Sequence, residues 1–103
     1  MPITNATVNN AAISAIYTSS GVTACTVVYF CNTGATTRTL DVYCYPSGGS
    51  GTAATQIYKT VSLPAGETFV LDTEKIIFSN NDVLAAKVDS TTDVTATISS
   101  IAL

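Results

Sequence analysis

Short alternating runs of apolar and polar residues, broken at close intervals by turn-forming residues, constrain this chain more than any other feature. The runs are rich in Val, Ile, Thr, Tyr and Phe, which favour strands, and clusters of Gly, Pro, Asn and Ser separate them. No segment keeps the apolar period of 3.6 residues that an amphipathic helix requires. The pattern predicts an all-β protein in which seven to nine short strands form an antiparallel β-sandwich, jelly-roll-like in arrangement.

The positions of the turn residues give the predicted strands their bounds. We expect strands over residues 6–17 (as one strand or two short pieces), 22–31, 37–45, 56–63, 68–71, 75–78, 83–88 and 94–101. The short link around Gly34 predicts that strands 22–31 and 37–45 form an antiparallel hairpin, and strands 83–88 and 94–101 are expected to pair likewise. The glycine-rich segment 46–55 is expected to be a long surface loop.

A chain of 103 residues is long enough for one domain, 1–103, with a single core between two facing sheets. The residues expected to fill this core are the apolar ones that alternate within the strands. They are Val28, Phe30, Leu40, Val42, Ile57, Val61, Leu63, Leu71, Phe78, Val94, Ala96 and Ile98.

The absence of histidine and the scarcity of charge exclude several classes of function. Without histidine the chain has no Ser-His-Asp or Cys-His catalysis and no histidine-ligated zinc. Its cysteines lack Cys-x-x-Cys spacing, and its carboxylates fall at positions where turns ordinarily place Asp. Only four Lys and Arg residues face seven Asp and Glu, too few cations to bind a run of phosphates. We expect no enzyme activity, no metal, no cofactor and no nucleic-acid partner.

Low charge also bears on the surface of the domain. Only 11% of the residues are charged, whereas the surface of a free-standing soluble domain is typically about 25–35% charged. Two explanations remain open, and both can apply together. Either the 28 Thr and Ser residues solvate the surface, or other chains cover much of it.

The first residues and the longest apolar run indicate where the chain is made. The segment Met1 to Ala6 has neither the basic region nor the apolar region of a secretory signal. The longest uninterrupted apolar run, Val27 to Cys31, is far shorter than the roughly 20 residues of a membrane-spanning helix. We expect a soluble protein made in the cytoplasm, with no membrane partner.

Three cysteines leave more than one arrangement open. In the register that buries the apolar residues of the 22–45 hairpin, Cys44 points inward while Cys25 and Cys31 point outward. The three are then reduced thiols that pack as small apolar groups, or an outward thiol forms an intermolecular disulfide. A register slipped by one residue would instead bring Cys25 near Cys44.

Four tyrosines, Tyr29, Tyr43, Tyr45 and Tyr58, are the candidate interface residues. In the same register Tyr29 and Tyr43 project from the outer face of the hairpin. Outward aromatic side chains on a charge-poor sheet are typical of a protein interface. Two alternatives remain: the rings cover a half-exposed sheet face or pack beneath the 46–55 loop, or they stack on a bound sugar.

Several segments together resemble a known family. They are Tyr17–Gly21, Tyr29–Gly34, Pro46 with the glycine-rich loop after it, Ile57-Tyr58, Glu74–Asp82 and Val94–Ile101. In combination they are similar to small β-sandwich virion proteins of tailed bacteriophages, of the type found in phages of cyanobacteria and marine bacteria. These segments mark strands, turns and a hairpin, so the resemblance implies a fold and carries no catalytic residue.

The resemblance implies a non-enzymatic structural subunit of a virion, synthesised in the host cytoplasm. Head decoration is the first expectation, as a cement protein bound to the major capsid protein. A tail, baseplate or fibre position is the second. Because decoration proteins often lie at three-fold axes and fibres are trimeric, a homotrimer is expected. The alternative function is a carbohydrate-binding, lectin-like module for attachment to the host.

Overall fold

The computed structural model describes residues 3–72, 76–89 and 93–103, which form nine strands and no α-helix. The strands are β1 Ile3–Thr7, β2 Ser14–Thr18, β3 Thr23–Asn32, β4 Arg38–Tyr45, β5 Gln56–Leu63, β6 Thr68–Leu71, β7 Ile76–Phe78, β8 Val83–Val88 and β9 Val94–Ala102. The predicted strand start at Lys75 and the predicted turns over 73–74 and 90–92 lie outside the described residues. The expected all-β class is confirmed.

Two antiparallel sheets pack against each other. Sheet A has the order β1-β9-β3-β6, and β7 also pairs with β3; sheet B has the order β2-β8-β4-β5. All of these pairings are antiparallel. The predicted antiparallel β-sandwich is therefore confirmed, with nine strands in the described part of the chain.

The pairings are nested in the order of a jelly roll. β1 pairs with β9, β2 with β8, β3 with β6 and β7, and β4 with β5. One long antiparallel hairpin, rolled so that successive pairs fall in opposite sheets, produces this order. If β6 and β7 count as one interrupted strand, the molecule is an eight-stranded jelly roll.

Two predicted pairings are wrong. β3 and β4 are not a hairpin, because β4 lies in sheet B between β8 and β5, whereas β3 lies in sheet A. β8 and β9 are likewise in opposite sheets. In both cases the two consecutive strands lie in different sheets, so they face each other across the core. Turn residues specify a chain reversal, but they do not specify whether the returning strand pairs beside its neighbour or packs opposite it.

Most of the predicted core is buried, with one error. Ten of the twelve residues predicted for the core are buried, and Val61 is partly buried against them. Ile57 is instead 43% exposed. The β4–β5 ladder has irregularities, with Leu40 opposite Val61 but Val42 opposite Tyr58. The extra residue on β5 reverses its alternation, so that Tyr58 packs against the core in place of Ile57.

A bulge also corrects the predicted orientation of Cys25. The β3–β9 register shifts between Cys25 and Val27, which puts Cys25 on the same inner side as Val28. Cys25 is therefore buried in the core, whereas Cys31 and Cys44 are half-buried free thiols. The slipped register that would bring Cys25 beside Cys44 on a paired strand does not occur, since β3 and β4 are in different sheets.

Asn32, fully buried at the end of β3, holds the crossing from sheet A to sheet B. Its side-chain amide donates to the carbonyl oxygens of Thr36 at 2.8 Å and Leu63 at 2.9 Å, and its Oδ1 accepts from Gly34 N at 3.0 Å. Its backbone N donates to Glu67 O. One side chain therefore fixes the link after β3 against the end of β5.

We expect Asn32→Ala to lower the free energy of unfolding by about 3 kcal/mol, because the buried carbonyl of Leu63 loses its donor and the link after β3 loses two further bonds. Asn80→Ala is the matched control, since within the described residues the Asn80 side chain makes one bond, accepting from Gly21 N at 2.8 Å, at an exposed site. Its cost should be about 1 kcal/mol or less. Urea unfolding of both variants measures the difference. Equal costs would contradict the role given to Asn32.

Candidate interaction surface

The outer face of sheet A is made by strands that contain no charged residue. None of β1, β3, β6, β7 and β9 includes Asp, Glu, Lys or Arg. The strand charges lie in sheet B, at Arg38 and Asp41 of β4, Lys59 of β5 and Lys87 of β8. The two faces of the sandwich therefore differ in charge, and we call the charge-free one the sheet A face.

The middle of the sheet A face is a row of directly opposed residues. Tyr29 lies between Thr97 of β9 and Val70 of β6, and Asn5 of β1 continues the row beyond Thr97. Tyr29 is 44% exposed, since its neighbours in sequence, at positions 28 and 30, fill the inner side of the strand. The row combines one aromatic ring, one aliphatic side chain and two neutral polar groups.

One end of this face is strongly apolar. Ile77 and Ile101 flank Ala24 from the two sides, and Leu103 N donates to Val22 O at 2.9 Å just beyond. Ile77 is 60% exposed and Leu103 71% exposed. The exposed residues Val22, Ile77, Ile101 and Leu103 form what we call the apolar corner. At the other end the outward residues are Thr7, Thr95, Cys31 and Thr68.

Several charged residues on the sheet B side make local contacts. Arg38 Nη2 lies 3.3 Å from Asp93 Oδ2, joining the start of β4 to the start of β9. Asp41 lies opposite Lys87 across the β4–β8 ladder, and its Oδ1 accepts from Thr60 N at 2.8 Å. That bond holds Thr60 in a left-handed conformation with φ of 56°. These contacts position loops and strand ends.

The structure separates the two tyrosines that were expected to share one face. Tyr29 is on the sheet A face, whereas Tyr43 lies in sheet B, directly opposite Ala85, and is only 7% exposed. Tyr43 and Ala85 are buried but do not belong to the core between the sheets. They therefore lie on the outer face of sheet B, where another segment of the chain must shield them from solvent. The 3-10 turn Ala53–Thr55 contacts β4, so the 46–55 loop supplies that cover. Burial and the nearby Asp41 raise the pKa of the Tyr43 hydroxyl.

The remaining two candidate tyrosines are half-buried. Tyr45 ends β4 where the chain turns back, and Gly49 N donates to Pro46 O at 2.9 Å beside it. Tyr58 packs against the core and meets Phe69 of the other sheet edge-to-face, with ring centroids 5.3 Å apart. Of the four predicted interface residues, only Tyr29 is therefore placed on the sheet A face.

The surface of the domain has two concavities, one on sheet A and one between the edges of the two sheets. A shallow groove of about 420 Å³ runs between β1 and β9 and is lined by residues 5–7 and 95–97. An apolar cavity of about 280 Å³ opens between the edges of the two sheets and is lined by Cys44, Ile57, Tyr58, Leu71 and Ile76. Burial and the nearby Asp82 raise the pKa of the Cys44 thiol, which favours its neutral form.

The described residues include neither a cluster of metal-ligating side chains nor a membrane-spanning helix. In residues 3–72, 76–89 and 93–103, no three residues among His, Cys, Asp and Glu cluster as metal ligands do. No described helix has the length and apolarity needed to cross a membrane. The carboxylate Asp82 instead supports turns, accepting from Ser47 N at 3.2 Å and from Ser79 N at 2.8 Å.

Sequence reasoning missed most of the exposed apolar residues of the sheet A face. Ile3, Val70, Ile77 and Ile101 were not among the predicted interface residues. Part of a signal existed, since the predicted runs 22–31, 68–71 and 94–101 contain no charge, whereas the runs that form β4, β5 and β8 contain charged residues. Charge alone would not have separated the two sheets, because the run 75–78 begins with Lys75 and the uncharged run 6–17 supplies β2 of sheet B.

Comparison with known proteins gives no assignment. Neither a protein-family model, nor a curated protein, nor a solved structure matches the chain. The resemblance to phage virion proteins therefore stays a prediction from the sequence.

The different placements of Tyr29 and Tyr43 give a direct test. We expect Tyr43→Ala to lower the free energy of unfolding by about 3 kcal/mol, because it leaves a cavity beneath the 46–55 loop. Tyr29→Ala should cost about 1 kcal/mol or less, because that ring is largely in solvent. Chemical denaturation of the two variants measures both values. A larger loss for Tyr29 than for Tyr43 would contradict the placement.

Proposed function

We propose that the protein is an accessory structural subunit of a tailed-phage virion, which binds a larger virion protein through the sheet A face. The observation that carries the proposal is the combination on this face of exposed aliphatic residues and strands without charge. Contiguous exposed apolar surface of this kind marks protein interaction sites on soluble domains. The resemblance in sequence supplies the virion context.

The dimensions of the sandwich support a stable contact. Its two longer extents are 38 and 27 Å, a rectangle of about 1,000 Å², whereas a standard interface buries about 800 Å² of each partner. Within that rectangle the apolar corner offers hydrophobic contact area at one end, and the outward residues Thr7, Thr95 and Thr68 offer a neutral polar border at the other. Protein interfaces combine an apolar core with a polar rim in this way.

The partner that fits this face is a large, flat and uncharged protein surface. Within a virion, the major capsid protein is our first choice, and a tail, baseplate or fibre protein is the second. We further propose that the subunit is a homotrimer, as the resemblance implies. No step of this role requires turnover, a cofactor, a nucleic acid or a membrane.

The location is tested on purified particles of a phage that encodes the chain. We expect the protein to co-purify with particles at a symmetric copy number, measured by quantitative mass spectrometry and cryo-electron microscopy. Cys31, on the sheet A face, should react with a maleimide in the isolated protein and be protected in the particle. Absence from particles, or a sheet A face left in solvent within them, would sink the proposal.

A matched pair of substitutions tests the face itself. We expect Ile77→Asp to abolish binding to particles stripped of the protein, because a carboxylate loses its hydration in an apolar interface. Ile57→Asp is the control, since Ile57 is 43% exposed on a strand of sheet B. The control should rebind as wild type does. Both variants should retain the circular dichroism of the folded protein, and equal loss in both would contradict a specific role for sheet A.

A carbohydrate-binding function is the second candidate, and one observation favours it. The groove beside β1 presents the side chains of Asn5 and Thr97, joined by a bond of 3.0 Å, and Tyr29 lies next to Thr97 in the same row. Neutral hydrogen-bonding groups beside an aromatic ring suit a sugar. Binding of a defined glycan on an array, lost in Tyr29→Ala, would favour this function over the structural one.

A further inference from the structure

The two sheets have four edge strands, and these edges differ in how they are protected. The edges are β1 and the β6–β7 pair in sheet A, and β2 and β5 in sheet B. An edge strand presents unpaired backbone N–H and C=O groups to any other chain that can add a strand. Natural proteins block such edges with bulges, charged residues, prolines or very short strands.

Three of the edges carry such devices. β2 has a bulge between Ala15 and Tyr17. β5 pairs irregularly with β4, and it contains the exposed Lys59 followed by Thr60 in its left-handed conformation. β6 and β7 are only four and three residues long. Each of these edges is therefore a poor template for another strand.

The fourth edge strand, β1, has none of these protective features. Its register with β9 runs without a break from Ile3 opposite Ser99 to Thr7 opposite Thr95. The strand, Ile-Thr-Asn-Ala-Thr, contains no charge, no proline and no glycine. β1 is therefore the one edge of the described sandwich that remains regular, neutral and open.

The residues whose backbone groups point outward can be identified from one bond. Val8 N donates to Val94 O at 2.9 Å, and these two residues continue the β1–β9 register, so they form a hydrogen-bonded pair. Because such pairs alternate along an antiparallel ladder, Ile3, Asn5 and Thr7 point their N–H and C=O groups away from β9. No described residue outside β1 bonds to those backbone groups.

We propose that β1 of a second copy pairs antiparallel with this edge about a two-fold axis at Asn5. Asn5 then lies opposite Asn5 of the partner subunit, and Ile3 lies opposite Thr7 of the partner subunit. Each of these pairs exchanges two backbone hydrogen bonds. The two copies of sheet A become one continuous sheet.

The occupant is a second copy because the edge is complementary to itself. The outward groups are spaced symmetrically about Asn5, so rotation by 180° brings every donor to an acceptor. The strand carries no charge, so the two copies do not repel each other at the axis. Ile3, which is 66% exposed, gains a Thr side chain opposite it.

This contact uses the edge of sheet A and does not rest on the proposed function, which uses its outer face. Joining two edges leaves the sheet A face exposed and doubles its width, measured across the strands. Where a trimer also forms, the two-fold and three-fold contacts combine into a closed particle of dihedral symmetry.

Cysteine cross-linking tests the register. In Asn5→Cys the new thiols lie opposite each other across the axis, at a Cα separation of about 5.5 Å that a disulfide accepts. We expect mild oxidation to give a linked dimer of twice 10.6 kDa, with the bond mapped to position 5 of both copies by mass spectrometry. Thr7→Cys is the matched control, because position 7 faces position 3, and it should give about tenfold less of the linked dimer.

Sedimentation velocity over rising concentration supplies a measurement without cross-links. The wild-type mass should double as the concentration rises, from 10.6 kDa for the free chain, or from the trimer mass where the trimer forms. Asn5→Pro should show no such doubling, because it removes an outward N–H. It also removes the exposed side-chain bond between Asn5 and Thr97 but no backbone bond to β9, so its melting temperature should stay close to that of the wild type.

Three outcomes would overturn the proposal. They are a wild-type mass that does not double, equal cross-linking in Asn5→Cys and Thr7→Cys, and a doubling of mass that persists in Asn5→Pro but is lost in Ile77→Asp. The last outcome would move the self-contact to the sheet A face. None of the three bears on whether the protein is found in virions, so the two proposals fail separately.

Discussion

The ladder between β3 and β9 is the interaction on which the rest of the structure depends. It runs from Thr23 opposite Ala102 to Asn32 opposite Val94, in the middle of sheet A. Its inner side carries the fully buried pair Phe30 and Ala96. Because this ladder joins segments far apart in sequence, its formation costs a large loop-closure entropy. In the described part of the chain, the other strands of sheet A pair only with its two members, β1 with β9 and both β6 and β7 with β3.

Buried polar groups fix both ends of β3, where the chain leaves the ladder. At its start, the hydroxyl of Thr23 lies 2.8 Å from that of Ser19 and 3.3 Å from that of Tyr17, which comes from sheet B. At its end, Asn32 bonds to the link that leads to β4. A strand pinned at both ends by satisfied polar groups cannot slip in register, because a slip would leave them buried without partners.

The sequence allowed the strands to be located better than their partners. Three strands begin and end at the predicted residues, namely β5, β6 and β8. Their bounds were predictable because Pro64, Gly66 and Asp89 are residue types that favour turns. Pairing depends on contacts between distant segments, and neither a short link nor alternation encodes these. The same limit applied to the site: alternation placed Tyr29 outward correctly, whereas the burial of Tyr43 depends on where the 46–55 loop folds.

The distribution of charge bears on the two explanations that the low charge content left open, because the two ends of the sheet A face differ in composition. At one end of the sheet A face, outward threonines of β1, β6 and β9 solvate a surface that has no ions. At the other end the apolar corner has no such groups, and its side chains are the most exposed aliphatic ones of that sheet apart from Ile3. Threonine alone therefore does not account for the low charge of this sheet. The apolar corner is the part of the face whose composition favours contact with another chain, and it lies opposite the sheet that keeps the strand charges.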